Sequence, residues 1–407
     1  MAKAARPGSP VAFAAAALLA ALLAAPALRA EPPGAATFRE AELARVRAAW
    51  ERLDTNGDGR LAIDEAPEMM RGLLRGADED RDGAASLAEY AAFLDDPSGA
   101  RRFPLPENVE LLADLPYAGS ENPRQQLDLL LPRRRAGPGA LPVIAYVHGG
   151  AWSMGSRVMA RPDVAPLVAT GHYAALAIGY RLSGEARWPA QIHDVKAALR
   201  WLRAHAERYG LDPGRVCAMG ASAGGHLAAL AGTTNGAAEL EGALGPHRGL
   251  SSDVQCAVDL FGATDLRTPE PASRSALFGP APSSRELLLG APPVLVPDLA
   301  RQASPVAHVS PGDPPFYIVH GTADPLVPFS DSAALERALR EAGVPVVFQV
   351  VEGGGHGDFL IDPEVARRLR LFLDRTLRGL DLALPSDPIR PARLSPGGLP
   401  EARGPGE

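Results

Sequence analysis

Gly220-Ala221-Ser222-Ala223-Gly224 stands between an apolar run, Arg215-Val216-Cys217-Ala218-Met219, and the opening of a helical pattern, Gly225-His226-Leu227-Ala228-Ala229-Leu230-Ala231. Strand, G-x-S-x-G, helix is the pattern of a tight turn that lifts one serine hydroxyl above the end of a sheet. Glycines at 220 and 224 let strand and helix approach closely. Ser222 at the apex must take up a strained backbone. In a chain with 42 glycines the five residues alone carry little weight. Their force comes from what surrounds them.

Outward from the turn, apolar runs alternate with amphipathic helical patterns. Strands are expected at 127–131, 143–147, 174–180, 216–219, 254–261, 315–320 and 346–351. Helices are expected at 189–209, 332–341 and 363–377, the first with an apolar stripe of Ile192, Val195, Ala198, Leu199 and Leu202. Gly210 and Pro213 stop it. Such alternation predicts an α/β chain with a mainly parallel central sheet and helices on both faces. In these sheets chemistry sits at the carboxyl ends of the strands.

A serine hydroxyl needs a base, the base an orienting acid, and the developing oxyanion needs donors. Among nine histidines, His356 lies in Gly353-Gly354-Gly355-His356-Gly357, directly after the last expected strand. A glycine-rich loop there can swing an imidazole over the sheet edge, so His356 is the expected base. Asp324 follows the preceding strand, lies between Ser222 and His356 in chain order, and is the expected acid. Asp259, Asp265 and Asp358 compete for that role. His148-Gly149-Gly150-Ala151-Trp152 closes the 143–147 strand. Backbone N–H groups of Gly150 and Ala151, with that of Ala223, are the expected oxyanion donors. His148 reads as a residue that fixes this loop.

Residues 105–378 resemble the α/β-hydrolase family of carboxylesterases, and within it the acetyl-xylan and feruloyl esterase-like group related to hormone-sensitive lipase. The resemblance rests on HGGAW at 148–152, YRLS at 180–183, GASAGGHLAAL at 220–230, DLFGATDL at 259–266, the run 304–328 and GGGHG at 353–357. It implies the α/β-hydrolase fold, with Ser222 as nucleophile, Asp324 as acid, His356 as base and no cofactor for catalysis. It also implies a small-molecule or polysaccharide ester as substrate, with acetyl or feruloyl groups as the guess. Ala151 departs from the third glycine of many relatives, which leaves its N–H in place. A peptidase or amidase with the same three residues is one alternative. A calcium-dependent adhesion or scaffold protein with an idle hydrolase domain is another.

Upstream lies different chemistry. Asp54-Thr55-Asn56-Gly57-Asp58-Gly59-Arg60-Leu61-Ala62-Ile63-Asp64-Glu65 fits an EF-hand loop. Asp54, Asn56 and Asp58 offer side-chain oxygens, Gly59 the sharp turn, Arg60 a carbonyl and Glu65 a bidentate carboxylate for Ca²⁺. A second loop runs over 78–89, with Asp78, Asp80, Asp82, the Ala84 carbonyl and Glu89. Its eighth residue is Ala85 where a larger apolar residue is usual, which should weaken the contact between loops. The loops begin 24 residues apart, so a small all-α EF-hand pair over 36–98 is expected. Nothing in the sequence places calcium near Ser222, and its expected role is structural or for docking.

The chain has 407 residues and a net charge of −7, with the acidic excess concentrated in 36–100; nothing points to nucleic acid. Lys3 and Arg6 precede an uncharged run over 7–28. This reads as a signal peptide over 1–30, cleaved after Ala27 or Ala30, and so as export to the medium, periplasm or cell envelope of a bacterium. An uncleaved anchor is the alternative. No later stretch is long and apolar enough to span a membrane, and oligomeric state is not legible. Cys217 and Cys256 fall in central strands and read as buried free thiols, because parallel neighbours rarely offer bridge geometry. The hydrolase domain is expected over 101–380. Residues 381–407, rich in Pro, Gly and Arg, read as a disordered tail.

Overall fold

The computed structural model describes residues 105–268 and 283–390, together with 50, 54, 56–63, 74 and 77–95. The expected signal peptide, Glu65, and the tail beyond 390 lie outside the described residues. The chain divides into two compact units, 103–269 with 284–391 forming the larger.

In the smaller unit, β1 (Arg60–Ala62) and β2 (Ala84–Ser86) pair antiparallel, with Leu61 opposite Ala85. The helix α1 (Leu87–Asp95) follows directly. Trp50, Leu61, Ile63, Leu74, Ala77, Ala85 and Tyr90 are buried, and the Trp50 indole donates to Gly59 O at 3.1 Å. Both acidic loops fold around their own carboxylates. Asp54 accepts from the Asp58 and Gly59 amides, and Asp78 accepts in the same way from Asp82 and Gly83.

The larger unit is built on eight strands: β3 (Val109–Pro116), β4 (Gln126–Pro132), β5 (Leu141–Val147), β6 (Ala174–Ile178), β7 (Leu211–Ala221), β8 (Cys256–Leu260), β9 (Phe316–Gly321) and β10 (Val346–Val351). Their spatial order is β10-β9-β8-β7-β5-β6-β4-β3. All neighbours are parallel except at the β4 edge, where β3–β4 and β4–β6 run antiparallel. Every residue of β5, β6 and β8 is buried, as a sheet covered on both faces requires. Alternate residues of β5 divide between two cores. Val143, Ala145 and Val147 join α3 (Ala190–Tyr209) and α4 (Ala223–Thr233) on one face. Ile144 and Tyr146 join α2 (Arg161–Ala169) on the other, with the last helix, Pro363–Arg378. That last helix follows the punctuation of its sequence. Asp362 caps it by accepting from the Glu364 amide, Pro363 opens it, and Gly379 closes it in the left-handed region at φ 68°.

After β5 the chain adds β6 on one side, then crosses to place β7 on the other. The carboxyl ends of β5 and β7 therefore flank the switch point where doubly wound sheets open a crevice.

Two expectations are corrected. Cys217 and Cys256 are joined in a disulfide, not free. The β7–β8 register sets them directly opposite each other, and their Cα atoms are 4.6 Å apart, within bridging range. The start of the expected disordered tail is packed on the sheet. Ile389 bridges to Val351, and Asp387 pairs with Arg368 at 3.0 Å.

Candidate active site

The elbow takes its shape from what its glycines allow. A Cβ on Gly220 would lie 2.3 Å from Gly224 O, and one on Gly224 would lie 2.0 Å from Val147 O. Any other residue at either position would push α4 off the sheet. Between them Ser222 adopts φ 56° and ψ −118°, a conformation that costs on the order of 1–3 kcal/mol. It is held there by its own amide bonding to Leu260 O at 2.9 Å and its carbonyl accepting from His226 N at 3.0 Å.

Asp324 follows β9 and His356 follows β10, so both rise from the same sheet edge as Ser222. Their loops are stitched together. Thr322 N bonds Val351 O at 3.0 Å, and Ala323 N bonds Gly354 O at 2.9 Å. Gly353 N bonds Thr322 Oγ1 at 2.9 Å. On this platform His356 Nε2 lies 2.9 Å from Ser222 Oγ, and His356 Nδ1 lies 2.7 Å from Asp324 Oδ2. The Asp324 side chain is fully buried and that of His356 is 13% exposed. Burial works to raise the Asp324 carboxyl, but hydrogen bonds from His320 and His356 and the amide of Val327 outweigh it and hold it well below the usual range. An ionised Asp324 keeps the proton on Nδ1, which leaves the Nε2 lone pair to accept from the Ser222 hydroxyl.

The competitors are occupied elsewhere. Asp265 pairs with Arg267 at 2.8 Å. Asp358 takes the Gly355 amide at 2.9 Å and so shapes the histidine loop. Asp259 is buried, accepts from Gly262 N at 2.8 Å, and is pushed up to about 6 by that burial.

The segment 148–152 lies against the elbow. A Cβ on Gly149 would lie 3.5 Å from Ser222 Cβ. Gly150, Ala151 and Trp152 all have positive φ, at 116°, 51° and 58°, and Ser153 N and Met154 N both bond back to Gly150 O at 3.0 Å. Among the described residues no protein oxygen accepts from the Gly150 or Ala151 N–H. Ala223 opens α4, where amides have no partner within the helix. His148 holds the segment from behind. It is buried, stacks on Tyr180 at 4.3 Å, and its carbonyl accepts from Tyr180 Oη at 3.1 Å. Burial, reinforced by the Arg124 and Arg157 charges, pushes His148 down to about 3, so it stays neutral. A non-glycine residue in the left-handed region costs roughly 1–2 kcal/mol, and a β-branched one more. Ala151→Val is therefore expected to lower melting temperature and turnover more than Ala151→Gly does. Thermal melts and initial rates on one ester read both, and equal effects would show that this backbone is not fixed.

Two side chains were not singled out from the sequence. His226, one turn into α4, accepts from the Trp152 indole at 3.1 Å and bonds Ala303 O at 2.6 Å. It ties the 148–152 segment to the elbow helix, and burial keeps it neutral by pushing it down to about 3. Phe261, at the end of β8, sets its ring edge-on to His356 at 4.8 Å. The HGGAW and GGH motifs hinted at the first; nothing local pointed to the second.

The BD-FAE family profile matches residues 127–339, more than half of the chain. The chain belongs to the BD-FAE family. Esterase LipQ of Mycobacterium tuberculosis is 35% identical over 266 residues, covering 63% of this chain and 59% of that protein. Esterase LipC of the same organism is 32% identical over 267 residues, covering 63% and 64%. The chain thus spans less than two thirds of the length of these curated relatives. Among solved structures, a truncated carbohydrate esterase from gut microbiota superimposes with a TM-score of 0.60 at 33% identity, covering 66% of this chain and 96% of that one. The BD-FAE match and this superposition fit the α/β-hydrolase architecture of the larger unit. Both expected acidic loops lie outside the matched region.

Proposed function

We propose that this chain is an exported serine carboxylesterase whose small N-terminal unit binds calcium. The observation that carries the first part is the unbroken chain of hydrogen bonds from Ser222 through His356 to Asp324 at the switch point of the sheet. Ser222 Oγ attacks an ester carbonyl while His356 Nε2 takes its proton. The oxyanion meets the amides of Ala223 and of Gly150 or Ala151. Collapse expels the alcohol, protonated by His356, and leaves an acyl-enzyme. Water, deprotonated by the same imidazole, then releases the acid. The esterase names of the relatives support ester over amide substrates. The carbohydrate esterase likeness supports acetyl or feruloyl esters of polysaccharide. Rates on a short-acyl p-nitrophenyl ester, acetylated xylan and an aminoacyl amide, measured side by side, test this. Turnover of the amide alone would overturn it.

For export, the support is the uncharged run over 7–28 behind Lys3 and Arg6, and a disulfide of the kind that persists in oxidising compartments. No helix among the described residues is long and apolar enough to cross a membrane.

For calcium, the support is the donor set. Carboxylate oxygens of Asp78, Asp80 and Asp82 lie within 4.8 Å of one another. These are hard oxygen ligands, and crowding them favours a divalent cation. Asp78, Asp80, Asp82, the Ala84 carbonyl and Glu89 would hold one ion. Asp54, Asn56, Asp58, the Arg60 carbonyl and Glu65 would hold another. The ion would supply charge neutralisation that stabilises the unit, apart from the ester chemistry. Calorimetric titration of the EGTA-stripped full chain is expected to show calcium binding on the order of 10⁻⁴–10⁻³ M, as in extracellular modules. Asp54→Ala with Asp78→Ala should abolish it. Undiminished binding in the double variant would refute these ligands.

A further inference from the structure

The carboxylate that orients His356 is gripped by a second imidazole. His320, the fifth residue of β9, is fully buried. Its Nε2 lies 3.2 Å from Asp324 Oδ2 and 3.1 Å from Val327 O. Both neighbours are acceptors, so Nε2 carries a hydrogen, which it donates to Val327 O while lying beside Asp324 Oδ2. Its Nδ1 lies 2.7 Å from Ser332 Oγ in α5 (Phe329–Glu341), which fixes the plane of the ring. Asp324 Oδ1 meanwhile accepts from Leu326 N at 2.8 Å and Val327 N at 3.0 Å. The carboxylate thus takes three hydrogen bonds, and the His320 N–H lies beside Oδ2 as its fourth polar neighbour.

We propose that His320 is a positioning residue for the proton relay, holding Asp324 Oδ2 where it meets His356 and drawing off part of its negative charge. The proposal rests on Ser222, His356 and Asp324 acting together as described above. Without the His320 N–H, Oδ2 keeps His356 as its one partner, and Val327 O loses its donor. The carboxylate is then free to turn about its Cβ–Cγ bond, and the Nδ1–Oδ2 alignment degrades. The charge on Oδ2 is then no longer shared with a second N–H.

Other charged groups face this cluster. Asp259 lies at the end of β8. Asp331 lies in the first turn of α5 and pairs with Arg285 at 3.1 Å. Asp358 lies in the histidine loop. Burial pushes Asp259 and Asp331 up to about 6, close to where an imidazole titrates. His320 bears on both carboxyls, so Ser332→Ala, which leaves the ring in place, is the variant whose pH profile shares their contributions with the parent, and the recovery of kcat in His320→Gln is read beside it.

His320→Phe keeps an aromatic ring and removes both nitrogens; His320→Gln keeps an amide donor at similar reach. With a p-nitrophenyl short-acyl ester, His320→Phe is expected to lower kcat about 10- to 100-fold, the scale of one hydrogen bond to a charged group. KM should change by less than about twofold, since the ring touches no substrate. The acid limb of kcat/KM should be displaced from that of the parent. His320→Gln should recover most of kcat. Should His320→Phe fail to fold, His320→Gln compared with Ser332→Ala, which frees the ring but leaves it in place, carries the same test through the acid limb. An unmoved acid limb in every folded variant, or a kcat loss that Gln does not relieve, overturns the proposal. Asp324→Asn and fluorophosphonate labelling, run in parallel, report on the relay itself. If Asp324→Asn is fully active, it is the Ser222–His356–Asp324 reading that fails.

Discussion

Ser222→Ala is expected to fold like the parent and to lose turnover by on the order of 10⁶-fold, the scale seen when a serine hydrolase loses its nucleophile. The elbow backbone does not depend on the hydroxyl. It is fixed by Ser222 N to Leu260 O and by His226 N to Ser222 O, and alanine supplies both groups. The glycines that permit the close packing, 220 and 224, are untouched. Only the attacking atom is removed, and with it the proton donor to His356 Nε2. Residual rate would come from binding and from the oxyanion donors alone. Matching melting curves, absent ester turnover and absent fluorophosphonate labelling make up the expected result. Labelling that persists at another serine would move the nucleophile elsewhere. The buried Ser153 hydroxyl, which has no hydrogen-bond partner among the described residues, would be the first place to look.

Where local pattern decides structure, the sequence was legible. The strand over 346–351 and the helix ending at Gly210 appear at the expected positions because apolar periodicity and a left-handed glycine are local signals. The elbow was legible for the same reason. Other features depend on distant partners. The edge strand β3 reads Val-Glu-Leu-Leu-Ala-Asp-Leu-Pro, an imperfect alternation that becomes a strand only by pairing with β4. The helix α2 carries Pro162 and Pro166, which locally signal a break. Pro162 sits in the first turn, where its missing N–H costs nothing, and Val164 and Val168 hold the rest against the sheet. The disulfide was illegible because a one-residue change of register between β7 and β8 would separate the sulfurs. The ordered start of the tail depends on Val351 accepting Ile389 as a neighbour. For the site, chain order excluded Asp358, and the place of Asp324 directly after the strand preceding that of His356 selected it over Asp259 and Asp265. What chain order cannot convey is the stitching of the 322–324 turn to the 353–354 turn, which sets the distance between acid and base.

Asp324→Asn is the change that interrogates geometry and charge together, and it is expected to cost on the order of 10⁴-fold in kcat with the fold retained. Asp324 Oδ1 accepts from the amides of Leu326 and Val327. In the variant that place must go to the amide oxygen, because an NH₂ there would face two donors. The nitrogen is then forced into the Oδ2 place, toward His356 Nδ1 and His320 Nε2. Asn Nδ2–H donates to His356 Nδ1, so the imidazole hydrogen moves to Nε2, where it faces Ser222 Oγ. The base then presents a proton to the hydroxyl it should deprotonate. The negative charge that stabilises the imidazolium is lost as well. His320 adds a second conflict, since its Nε2–H also faces the new N–H. The ring can resolve this only by giving up Val327 O and shifting its hydrogen to the Ser332 side. Substrate binding does not involve these atoms, so KM should stay close to the parent value while kcat falls. Part of the rate should return at high pH, where hydroxide in solution takes the proton that His356 no longer can. A variant with full activity at neutral pH would mean that the buried carboxylate does not set the tautomer of His356, and the acid would have to be sought at Asp259 or Asp265.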